Sequence, residues 1–99
     1  MADEVIIEEY SAFDAGTQAP TVPHKTQVID AGDKSAALSN TTKIIGITAR
    51  EVSFWYKLGA SDVSAAAETD NNLFIPVGTT RYHNVSKSSG LYIDTAQDV

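Results

Sequence analysis

The chain has two imidazoles, His24 beside Pro23 and His83 in "TRYHNV", far apart in sequence and with no cysteine anywhere to join them. Neither lies in an HExxH spacing, so no metal site is expected, and both rings read as hydrogen-bonded or solvent-facing. Asp62, Glu68 and Asp70 share one stretch and could offer oxygen ligands. They lack the alternating Asp/Asn pattern closed by Gly and a terminal Glu that builds a calcium loop, and a solvated acidic loop is the expectation. No serine sits in a GxSxG elbow, and no Gly-rich phosphate cradle is present. Nothing suggests a cleft that would raise the pKa of one carboxyl among many. No catalytic residue, cofactor or enzymatic activity is expected. Asn40 in "NTT" and Asn84 in "NVS" match glycosylation acceptors formally, as chance allows in a Ser/Thr/Asn-rich sequence.

The 99 residues carry 13 acidic and 7 basic side chains, a net charge of −6, with no basic cluster to neutralise a phosphate backbone or an anionic membrane. Nucleic acid and membrane are therefore not expected partners. No apolar run reaches the roughly 18 to 20 residues of a spanning helix. The opening "MADEVIIEEY" lacks the basic start and long apolar stretch of a secretory signal, which predicts synthesis in a cytoplasm. Hydrophobic residues make up 42% and charged residues 20%, an ordinary globular balance in a chain long enough for one core. The absence of cysteine excludes disulfides as its fastening.

The elements that would position any site read as strands. "KIIGITAREVSFWYKL" splits into strand-like runs at about 43–48 and 51–58, rich in β-branched and aromatic residues. In the second run, period two places Val52, Phe54, Tyr56 and Leu58 on a core face and Ser53, Trp55 and Lys57 on the other. Trp55, large and amphipathic on a polar face, is either laid against a loop of its own chain or an anchor for a partner. "LFIPVG" at 73–78 contains Pro76 and points to a sheet edge or bulge. "TTRYHNV" and "LYIDT" complete an antiparallel meander, "KTQVIDAG" gives an earlier strand, and "SAALS" a weak one. Residues 59–72 read as a long loop. Arg81, Tyr82, His83 and Asn84 with Trp55 could form a sugar-stacking patch, although alternation splits Tyr82 and Asn84 from Arg81 and His83. Six or seven short strands at this spacing predict an all-β fold, a compact antiparallel β-sandwich or jelly-roll-like barrel.

Residues 1–24 read differently. Val5, Ile6 and Ile7 lie between acidic pairs, and "DAGTQAPTVPH" is a Pro/Gly/Ala linker. The division expected is an extended N-terminal arm and linker at 1–24 and a single β domain at 25–99. Fully extended, the arm spans up to about 80 Å. Val5, Ile6, Ile7, Tyr10 and Phe13 would then meet another chain by strand addition or groove docking, and with Trp55 they form the candidate interface.

The stretch from "TQVIDAGDKSAALSNTTKIIGITAREVSFWYKLG" through "NNLFIPVGTTRYHNV" resembles small structural proteins of tailed bacteriophages. Those have a "VxFWYKLG"-like strand, a variable Ala/Thr/Asp loop, then hydrophobic-x-Pro-x-Gly leading into a final hairpin. The resemblance covers about residues 26–95 and leaves 1–24 unmatched. It implies a β-sandwich virion component, foremost a capsid decoration or cement protein. Its expected partner is the major capsid protein or another virion protein, with self-association into an oligomer such as a trimer. A tail, neck or fibre component, or a free glycan-binding module, are the alternatives.

Overall fold

The computed structural model describes residues 3–11, 13–14, 19–20, 22–65, 73–85 and 90–97. In chain order the strands are β1 (Glu4–Tyr10), β2 (Phe13–Asp14), β3 (Ala19–Pro20), β4 (Lys25–Asp30), β5 (Ile44–Ala49), β6 (Phe54–Gly59), β7 (Leu73–Ile75), β8 (Thr80–Asn84) and β9 (Tyr92–Gln97). Seven of them form two antiparallel sheets, ordered β4-β1-β5-β8 and β7-β6-β9, while β2 and β3 make a two-residue hairpin. The described residues contain no helix. The antiparallel all-β expectation is met.

The N-terminal arm is the main correction. Glu4–Tyr10 is an inner strand, with Val5 opposite Ile29 of β4 and Ala49 of β5, and Ile7 opposite Gln27 and Ile47. The boundary at 24/25 therefore does not separate these residues from the domain. The physical reason lies in "EVIIEEY" itself. Alternation sends Val5, Ile7 and Glu9 to the inner face and Glu4, Ile6 and Glu8 to the outer, so the strand buries apolar side chains while both backbone edges are paired.

The inner faces meet in one core. The four-stranded sheet supplies Val5, Ile7, Ile45, Ile47 and Ala49, and the three-stranded sheet supplies Phe54, Tyr56, Ile75 and Ile93. Phe54 and Tyr56 are fully buried, as their alternation requires, whereas Val52 and Leu58 are half-buried at the rim and packed against that core. Val52 lies in the bend before β6 rather than in the strand, which explains its lesser burial.

Two glycine turns help to shape the connections between strands. After β4, Gly32 at φ +103° makes the Asp30–Asp33 turn and donates its N–H to Thr95 Oγ1 at 2.9 Å. The chain then runs beside β9, with Ser35 N–H on Ile93 O (2.8 Å) and Leu38 N–H on Leu91 O (2.9 Å). The weak strand read at "SAALS" is thus an irregular cover for the β9 edge, which would otherwise offer unpaired backbone groups. The second turn is Pro76–Thr79, with Gly78 at φ +84° in the position where a type II turn needs a positive φ. Gly78 N–H reaches Ala49 O at 2.7 Å, fixing the passage from β7 to β8 against the end of β5.

Glu9 brings a carboxylate into the interior, fully buried on the inner face of β1. Its Oε1 accepts the Ser39 N–H and the Thr42 hydroxyl, both at 2.7 Å, and its Oε2 accepts Gln27 Nε2 at 3.3 Å. Lys25 Nζ stands 3.9 Å away and is 42% exposed. A pair that long and wet contributes at most about 1 kcal/mol, against about 1.5 to 3 for a hydrogen bond to a charged group, so the three donors hold the carboxylate. Gln27 extends the network by taking the Ala36 N–H on its Oε1 (2.9 Å) and giving its Nε2 to Ala36 O (3.3 Å). Glu9→Ala, which orphans the Ser39, Thr42 and Gln27 groups at once, is expected to cost on the order of 3 kcal/mol in denaturant unfolding. A loss under about 0.5 kcal/mol would show that the network is incidental.

Candidate functional site

The residues read as an interface fall into three places. Val5 and Ile7 are wholly buried in their own core, and Ile6 is half-buried on the outer face of the four-stranded sheet, between Val28 and Thr48. The side chain of Phe13 lies outside the described residues. Tyr10 is 5% exposed at the end of β1, its hydroxyl donating to Glu8 Oε1 at 3.2 Å and its ring 6.1 Å from that of Tyr82. Burial first, then the charge of Glu8 and the neighbouring Tyr82, push the Tyr10 phenol up to about 12. Gly46 makes room for this aromatic pair, since a methyl there would sit 2.8 Å from Tyr82 Cε1 and 3.5 Å from Tyr10 Cε1. The arm set therefore does not project as a unit: an inner-strand position offers Val5 and Ile7 two ladders and a core, which a solvated arm does not.

Trp55 stands on the outer face of the three-stranded sheet, as alternation requires, half-buried and directly opposite Phe74. The ring centroids are 5.0 Å apart at 55°, within the range of favourable tilted aromatic pairs. Its own chain approaches the same face. Gly59 lets Val63 pack against β6, where a methyl would meet Val63 Cγ2 at 2.9 Å, and Ala65 N–H bonds Asp94 Oδ2 at 2.8 Å. On the opposite face of the short edge strand β7, Leu73, across from Tyr56, is 45% exposed, and Val77 in the turn that follows is 51% exposed. The Trp–Phe partnership was missed by sequence reading because it depends on cross-strand register, which a three-residue strand ending at Pro76 does not announce.

The five-residue sugar patch does not assemble. Trp55 is on the outer face of one sheet, Tyr82 and Asn84 are on the outer face of the other, and Arg81 and His83 point inward. His83 instead reaches across the sandwich, its Nε2 2.6 Å from the Tyr56 hydroxyl with the rings edge to face at 5.6 Å. Burial pushes the Tyr56 phenol up while Arg81 opposes, and burial followed by Arg81 pushes the His83 imidazole down. His24 Nε2 is 3.2 Å from Thr42 Oγ1, whose proton is already committed to Glu9, so the imidazole is the donor there. His24 is therefore not placed as the base that takes the Thr42 proton, as the imidazole of a Ser–His pair is.

Among the described residues no three His, Cys, Asp or Glu side chains converge as a metal would need. Asp62 is exposed in a turn, and Glu68 and Asp70 lie outside the described residues. No helix among the described residues is long and apolar enough to cross a membrane. A shallow depression by β4, lined by Glu4, Val28, Ile29, Asp30, Asp33 and Lys34, gathers charges of both signs without a convergent donor set.

No protein family, curated protein or solved structure matches this chain. The best-defined feature of the outer face of the three-stranded sheet is the Trp55–Phe74 pair. A double-mutant cycle between Trp55→Ala and Phe74→Ala is expected to give a coupling of about 1 kcal/mol in unfolding free energy. Strict additivity would mean that the two rings are neighbours without mutual stabilisation.

Proposed function

We propose that this chain is a non-enzymatic structural protein of a tailed-bacteriophage virion, most specifically a decoration protein that binds the assembled capsid and stabilises it. The observation that carries the reading is the apolar strip along the β7 edge, where Phe74 packs on Trp55 on the outer face while Leu73 on the opposite face and Val77 in the following turn are exposed. Apolar and aromatic side chains left exposed along a sheet edge suit a protein contact. The same residues sit in "VSFWYKLG" and "LFIPVG", the stretches that carry the resemblance to phage structural proteins.

The rest of the polar chemistry is compatible with this role. Glu9, Gln27, Thr95 and the Tyr56–His83 pair are engaged in fastening the sandwich to itself. A net charge of −6 disfavours competition for packaged DNA. A strip this small gives a weak single contact, and many identical copies on a shell convert weak contacts into firm attachment through effective concentration. Self-association, for instance as a trimer, would add to the same effect.

Binding the assembled shell alone stabilises it by mass action. Adding the protein to particles that lack it is therefore expected to raise the temperature at which they release DNA. Leu73→Ser with Val77→Ser, at exposed positions that leave Trp55 and Phe74 in place, should diminish that gain while the isolated protein's unfolding midpoint stays within a few degrees. Particles that rupture alike with and without the protein would contradict the decoration role, and the tail, neck or fibre reading would replace it.

A further inference from the structure

The edge strand β8 is lightly held. It pairs on one side only, with β5, and four of its five residues, Thr80, Arg81, Tyr82 and Asn84, are exposed. The fifth, His83, points inward and makes the Tyr56 contact, a link from this strand to the opposite sheet. Tyr56 is fully buried in the centre of β6, so its hydroxyl requires an acceptor, and His83 Nε2 at 2.6 Å supplies it. With the phenol holding its proton, the contact is satisfied by Tyr56 donating to Nε2 of an imidazole protonated at Nδ1.

We propose that the Tyr56–His83 hydrogen bond is an acid-labile latch that holds β8 onto the sandwich. Protonation at Nε2 turns the acceptor into a donor, so the Tyr56 hydroxyl loses the partner its proton points to. It also places an imidazolium half-buried beside Arg81, two residues away on the same face of β8. The groups facing His83 do not favour that charge. Tyr56 from β6 is neutral, Ile45 of β5 is opposite it, and beyond Ile45 in the same cross-strand row the Glu9 carboxylate is already occupied by Ser39, Thr42 and Gln27, with Lys25 at its far side. The strand's other contacts, its ladder with β5, the Tyr10–Tyr82 rings and the Thr48–Thr80 hydroxyls at 2.7 Å, involve no group that titrates between pH 5 and 7.5. When β8 lets go, the imidazole returns to water and one edge of the apolar strand β5 is exposed.

The direction follows from linkage. His83 is lowered from 6.5 in the folded chain, whereas an open β8 restores the ordinary value. Both states are neutral well above 6.5, so opening is insensitive to pH there. Below it the open state binds the proton first, and the opening constant rises by up to about tenfold per pH unit until the folded imidazole also titrates.

Amide hydrogen exchange between pH 7.5 and 5, corrected for intrinsic rates, tests this on the full chain. The amides of β8 that bond β5 should lose protection towards that tenfold-per-unit limit while the laddered amides of β1 and β6 hold theirs. His83→Gln should abolish the slope for β8. The His83 ring-proton titration in the unmutated protein should fall below 6.5, and Arg81→Gln should move it upward; both readings stand even if His83→Gln folds poorly. Uniform loss of protection in every strand, a slope that survives His83→Gln, or an imidazole titrating at its ordinary value would each overturn the latch.

Discussion

A carboxylate taken fully out of water must find donors, and Glu9 finds them both on the neighbouring strand and in the irregular connection before β5. Ser39 and Thr42 belong to the connection before β5, and Gln27 to the neighbouring strand β4, which in turn brackets Ala36. The cost of burying the charge is offset only if all these groups arrive in place. Glu9 also sits in an inner strand, so its position is set by ladders on both sides. The irregular stretch 33–42, which crosses from the four-stranded sheet to cover the β9 edge, is thereby tied to the centre of the opposite sheet.

The aromatic side chains divide according to what each sheet face allows. Phe54 and Tyr56 fill the core, with ring centroids 6.1 Å apart. Trp55, one residue out of phase, shares the outer face with Phe74. Tyr10 and Tyr82 lean together over Gly46, where the missing side chain lets two rings cover the backbone. One pairing, Tyr56 with His83, joins the sheets through a polar atom. Such a bond fixes relative placement more sharply than apolar packing does, because an unpaired buried hydroxyl costs about 1 to 3 kcal/mol.

Much of this was legible in the sequence. The β class, the runs that became β4, β5, β6, β8 and β9, the core role of Phe54 and Tyr56 and the outward face of Trp55 all follow from period two and turn residues. The role of residues 1–10 was not legible as such. "DEVIIEEY" has the alternation of a strand, yet its acidic pairs and the Pro/Gly/Ala stretch after it read as an arm. What local pattern does not encode is that β4 and β5 flank this strand on both sides and that Glu9 meets donors on Ser39, Thr42 and Gln27, a long-range match. Trp55–Phe74 and Tyr56–His83 escaped for the same reason, since both depend on register or on sheet-to-sheet placement.

Paired on both edges, β1 is part of the folding unit and not an appendage to it. The most direct measurement is thermal and denaturant unfolding of a chain that begins at Ser11, followed by circular dichroism and Trp55 fluorescence. Without Val5, Ile7 and Glu9 the core loses an inner strand and the 33–42 connection loses its anchor, and no cooperative transition is expected. A truncated chain that unfolds cooperatively near the midpoint of the full-length protein would contradict the account and restore residues 1–10 to the status of a separable arm.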